Sequence, residues 1–188
     1  MMLNLKYLPG RSLRRRLSSV FGRLARSQRG MAAVEFALVA PIFLGMMLGI
    51  LQICLIFFAK ETLETLTEYA ARNVLTNQTQ AAGYNASQFQ ANVVCPAIHG
   101  LFDCTKVMID LQPATLSNIN TSEPNMTFDG SGNVSNTWQF NSGSPGDIMV
   151  LRVMYQWPLF TGPLGLNLAN LSNGNLLIMS TAVFKNEL

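Results

Sequence analysis

The sequence predicts an α+β fold: a long N-terminal transmembrane helix that continues into an amphipathic half and packs on a small antiparallel β-sheet. Three observations carry this. From Phe36 to Ala59 no residue is charged, a run of 24 residues that would make a helix of about 36 Å, enough to cross a hydrocarbon core of roughly 30 Å. From Lys60 to Asn77 there is no Pro or Gly, and Leu63, Leu66, Ala70 and Val74 recur at helical spacing, with Glu61, Glu64 and Glu68 turned elsewhere. Beyond that, the pattern changes to the two-residue alternation of strands.

Taken in order, residues 1–30 form a basic leader, 31–59 the span and 60–188 an exported α+β domain. The leader carries Lys6, Arg11, Arg14, Arg15, Arg16, Arg23, Arg26 and Arg29 and no acid, so the net charge of +3 belongs to it and the rest of the chain is acidic. A basic flank stays on the cytoplasmic side of a span, which places the C-terminal part outside. Such a segment could also be a nucleic-acid arm. It abuts a span, however, and so faces lipid and insertion machinery first; no nucleic-acid partner is expected. Leu13, Leu17, Val20, Phe21 and Leu24 give the leader an apolar stripe with which it could lie on anionic lipid. The apolar run is too long for a secretory signal peptide, and the one well-marked processing candidate, Arg29-Gly30, precedes it.

Within the span, Pro41 predicts a kink or a local backbone gap. Gly45 and Gly49 have the small-xxx-small spacing of close helix contacts. The helix is expected to run from Met31 to about Thr76. Strands are expected at Thr105–Gln112, at Ser135–Phe140, at Ile148–Trp157 and at Leu177–Lys185. In the third, Met149, Leu151, Val153, Tyr155 and Trp157 share one face, and Arg152 and Gln156 the other. Residues 113–147 otherwise read as loops, and 158–175 as a packed irregular loop with Leu159, Phe160, Leu164, Leu166 and Leu168 among glycines and prolines.

Cys54 lies in the span and reads as a small apolar residue. Cys95 and Cys104 lie in the exported part, where an oxidising compartment favours a disulfide. The rival is zinc, with His99 between them; Cys95, His99 and Cys104 supply three ligands, and no fourth is evident nearby. No enzymatic activity and no cofactor are expected. His99 is the lone histidine, and there is no nucleophile elbow, phosphate-binding glycine loop or H-E-x-x-H motif. Asp103 and Asp110 could be drawn as a carboxylate pair but read as separate surface acids.

One charge is out of place. Glu35 sits at the leading edge of the apolar run, where a buried acid costs on the order of 2.5–3.5 kcal/mol and an ionisable group reads as functional. If the chain is cut after Gly30, the new amine of Met31 is four residues from Glu35, one helical turn away. In a bundle, Glu35 of one subunit could pair with the amine of its neighbour and fix their axial offset, as a buried polar residue sets register in a coiled coil. The bland alternative is a carboxylate solvated at headgroup depth.

Gly30, then Met31-Ala32-Ala33-Val34-Glu35-Phe36-Ala37-Leu38, then Pro41, resembles the N-terminus of the TadE-like family. These are pseudopilins of the tight-adherence (Flp) pilus system and relatives of type IV pilins. Ala70-Ala71-Arg72, the cysteine pair and the closing Phe184-Lys185-Asn186-Glu187 extend the likeness to about half of the chain. The resemblance implies a pilin-like fold and cleavage by a prepilin peptidase, with Gly30 as the cleavage-site residue and Glu35 as the assembly glutamate. It also implies residence in the bacterial inner membrane and a minor part in pilus assembly. The implied partners are the lipid bilayer, other pilins and pseudopilins, and the inner-membrane assembly platform. The chain departs from the pilin pattern at Met31, where type IV pilins usually carry Phe. The other function read from the residues is a bitopic membrane protein whose external domain binds a ligand or scaffolds an envelope or secretion complex.

Overall fold

A computed structural model of the protein describes residues 28–98, 100–117, 124–160 and 165–187, without the side chains of residues 28 and 29. The expected lipid-facing stripe of the leader (Leu13 to Leu24) and the proposed ligand His99 lie outside the described residues. The chain divides into two units, Met1–Met47 and Leu48–Leu188.

Helix α1 runs over Gln28–Leu75, 48 residues with Pro41 inside. The chain is already helical at Gln28, three residues before the expected Met31. Over the described residues of the first unit, 28–47, the backbone is helical throughout. In the second unit the amphipathic half of α1 buries Ala59, Leu63, Leu66, Ala70 and Val74, while Glu61, Glu64 and Glu68 are exposed. The threonines here satisfy their hydroxyls within the helix, each donating to a carbonyl one turn back: Thr62 to Phe58, Thr65 to Glu61, and the buried Thr67 to Leu63 at 2.7 Å. Arg72 stands in the last turn, where a cation complements the helix dipole. Asn77, in the left-handed region at φ 62°, ends the run.

Short helices follow: α2 Gln78–Ala81, α3 Ala86–Phe89, a π-turn Gln90–Val94 and α4 Cys95–Ala97. Sequence reading placed no element here. Asn85 and Gln88 form a reciprocal capping box at the start of α3, at 2.9 and 3.0 Å. The turns carry Phe89, Val93 and Val94 into the core.

Strands β1 Met108–Ala114, β2 Ile148–Trp157 and β3 Leu176–Lys185 form one antiparallel sheet in the order β1-β2-β3. The core lies between its inner face and α1, with Leu111, Met149, Leu151 and Val153 against Leu63, Leu66, Ala70 and Val74. β3 alternates around this plane: Ile178 is buried, whereas Met179 and Val183 point outward and are exposed.

Two expectations change, and a third is extended. The strand expected to begin at Thr105 begins at Met108, because Cys104–Lys106 form a 3-10 turn capped by the Asp103 side chain. The strand expected at Ser135–Phe140 is absent. Only Phe140 bridges to Leu111, through Leu111 N–H to Gln139 and Asn141 N–H to Leu111, while the Phe140 ring packs on Phe89 at 5.3 Å. The third point adds to the reading of β2, whose two faces the sequence distinguishes without stating their burial: it is buried on both faces. Val150, Arg152 and Met154, opposite the helix-facing side, are as enclosed as Leu151 and Val153. β2 is the central strand, and the side chains of both neighbours flank it.

Candidate assembly surface

Gly30 and Met31 lie near the start of the described part of α1, with Glu35 about one turn on. Glycine is about 1 kcal/mol worse than alanine as a helix former. Gly30 therefore weakens the helix locally beside the Gly30–Met31 bond. Met31 and Glu35 are both exposed, and among the described residues Glu35 makes no ion pair. In the intact chain the nitrogen of Met31 is an amide; it becomes a cation only if the bond before it is cut.

Beyond Glu35, large apolar side chains are exposed along the helix. In the first unit they include Phe36, Leu38, Ile42 and Phe43; in the second, Ile50, Leu51, Phe57 and Phe58. Water-soluble domains do not leave so much contiguous apolar surface bare. By length and composition α1 is able to cross a membrane, and this fits a single-pass membrane protein.

In the second unit Cys95 and Cys104 are joined in a disulfide, with their Cα atoms 5.5 Å apart. The sulfurs are bonded to each other, so they are not thiolates free to bind zinc. The bridge ties α4 to the 3-10 turn before β1. Gln90 supports the same junction by donating its side-chain amide to the carbonyls of Cys104 and Val107. Beside it, the exposed Asp103 accepts hydrogen bonds from the Thr105 hydroxyl (2.7 Å) and N–H (3.1 Å), which hold its carboxyl below the usual aspartate range. Asp103 also faces Lys106 at 3.5 Å.

Asp103 and Asp110 do not form a carboxylate pair. Asp110, expected at the surface, is buried and pairs with Arg152 at 2.8 Å. Gln139 N–H and the Gln112 amide also donate to it. Among the described residues no group of three or more His, Cys, Asp or Glu side chains converges.

Two features were missed in the sequence. A groove lined by Phe58, Thr65, Tyr69, Pro96 and Leu101 runs between α1 and the disulfide-bearing turn; the 78–98 turns that form its far wall had not been read as structure. The other is the neighbour of Gly49: this glycine lies against a loop of its own unit. A Cβ added there would come within 3.3 Å of Leu166 Cδ1.

Residues 30–72 match the family model for TadE-like protein. The TadE-like match begins at Gly30, takes in Met31, Glu35 and the exposed apolar run, and ends at Arg72 in the last turn of α1. It covers helix alone. The cysteine pair and the closing Phe184-Lys185-Asn186-Glu187 lie beyond the TadE-like segment. No curated protein and no solved structure matches the chain.

Proposed function

We propose that this protein is a minor pseudopilin, an assembly component of a tight-adherence pilus. In this reading it sits in the bacterial inner membrane with its N-terminus cytoplasmic and its disulfide-bonded domain outside. A prepilin peptidase cuts between Gly30 and Met31, and the protein has no catalytic role of its own. The observation that carries the reading is the TadE-like match, which starts at Gly30 and contains Glu35 on an exposed apolar helix.

The physical logic is one of charge. Cutting after Gly30 removes the eight leader cations and creates one new cation, the Met31 amine. In a low-dielectric bundle a carboxylate is strongly favoured beside such a cation over standing alone. Glu35 of one subunit can then fix the offset of the next, while the apolar faces of the helices supply the area buried between subunits.

The test is complementation. A strain lacking the protein should lose tight-adherence pili and regain them with the wild-type chain. The Glu35→Ala chain should insert into the membrane at the normal level and fail to restore piliation. Normal piliation with Glu35→Ala would mean that the carboxylate is merely solvated at the headgroups.

A further inference from the structure

The second unit carries an apolar surface separate from its core. It is made by Leu159–Phe160 and Gly165–Leu168, and both lie beside the helix. The Gln52 side-chain amide donates to the Phe160 carbonyl at 3.2 Å, and Leu166 packs toward Gly49. A cleft lined by Gln52, Leu159, Leu166 and Leu168 separates them. Yet the side chains are not buried by this contact: Phe160 is 81% exposed and Leu166 47%.

The place on α1 where this happens is informative. Gln52 is a polar side chain within the charge-free run, and Lys60, the first charge after it, is eight residues further on, about 12 Å along the helix. Counting back from Gln52, the roughly 20 residues that cross a hydrocarbon core reach about Ala32. Irregular backbone is not exposed to lipid deep in the hydrocarbon region, so the edge of the hydrocarbon falls close to Gln52, where the loop meets the helix. The exposed loop side chains then lie at that edge, at the depth of about 5–10 Å that apolar interfacial groups occupy. Leu51 and Leu55 are exposed on the same stretch of helix.

We propose that Leu159–Phe160 and Gly165–Leu168 are an interfacial membrane anchor. Phe160 and Leu166 seat in the headgroup–acyl boundary on the side of the bilayer where the β-sheet lies, and the Gln52–Phe160 hydrogen bond fixes the depth at which the domain rides. This inference rests on α1 spanning a bilayer and is independent of the pilus reading.

Nitroxide labels report it directly. The full chain with Cys54→Ser and its disulfide intact is reconstituted in phosphatidylcholine/phosphatidylglycerol vesicles, with single labels at Phe160→Cys, at Leu51→Cys in the helix and at the exposed Phe128→Cys. Accessibility to oxygen, which partitions into lipid, is compared with accessibility to a water-soluble nickel chelate. The label at 160 should resemble that at 51, with nickel accessibility several-fold below that at 128 and high oxygen accessibility. If 51 reports lipid while 160 is as open to nickel as 128, the anchor is overturned and the span stands. Shielding of 160 from both reagents would mean that protein covers it, which also overturns the anchor. An aqueous signal at 51 would overturn span and anchor together.

Discussion

Asp110 and Arg152 sit directly opposite each other across the β1–β2 register and close a 2.8 Å ion pair with both side chains almost fully buried. The carboxylate also accepts Gln139 N–H at 3.2 Å and the Gln112 amide at 2.8 Å, so the pair ties β1 to the central strand and to the segment bridging at Phe140. Breaking such a pair from one side leaves an uncompensated charge and typically costs about 3–5 kcal/mol. Asp110→Ala should therefore lower the stability of the domain by that order, and Asp110→Leu combined with Arg152→Met should recover a large part of the loss. Thermal melting of the detergent-solubilised full chain, followed by near-ultraviolet circular dichroism, measures both. An Asp110→Ala melt equal to wild type would remove this pair from the account of the fold.

The Cys95–Cys104 bridge closes a short loop, for which chain entropy gives about 2.5–3 kcal/mol of stabilisation. Cys95→Ser with Cys104→Ser should lower the denaturant midpoint accordingly. Reductant should do the same to the wild-type chain and nothing to the double variant. A midpoint unmoved by reductant, in a sample shown to be reduced, would contradict this.

Asp129 organises the turn that follows the bridge residue Phe128. Its carboxylate accepts the Asn133 side chain at 3.0 Å and the backbone N–H groups of Asn133 (2.8 Å) and Ser131 (2.9 Å). These bonds, the Asn133 side chain foremost, hold the carboxyl below the ordinary aspartate value near 3.8. A carboxyl depressed in the folded state contributes stability that is present above the ordinary value and lost as pH falls through the depressed one. Carboxyl carbon NMR should show Asp129 titrating below 3.8, and Asn133→Ala should raise its midpoint. A midpoint at or above 3.8 in the wild-type chain would refute the arrangement.

The legible parts of this fold were those set by local periodicity. Leu63, Leu66, Ala70 and Val74 announce the buried face of α1 at a spacing of three to four residues, and Met149, Leu151 and Val153 announce the inner face of β2 at a spacing of two. The Arg152–Asp110 pair was not legible. Each residue stands on the polar side of its own alternation, which reads as solvent until the register sets them face to face and Gln139 is brought to the same carboxylate. The 78–98 turns escaped because segments of three to five residues carry no full helical period, and their order comes from the Asn85–Gln88 box and from the core that Phe89 and Val94 enter. At Gly49 small-xxx-small spacing marks where something approaches closely and does not say what; within the chain it is Leu166. Gly30, Met31 and Glu35 stand out in the sequence as a spacing, since the chemistry proposed for them needs only a scissile bond and an acid one turn later.

The account turns on the bond between Gly30 and Met31. The most direct test is the intact mass and N-terminal sequence of the protein purified from its native host with the processing peptidase active, beside a Gly30→Leu variant. The account predicts a wild-type chain that begins at Met31, lacking residues 1–30, and a variant that keeps its leader. A wild-type chain that begins upstream of Met31, or a Gly30→Leu variant matured as wild type, would contradict it.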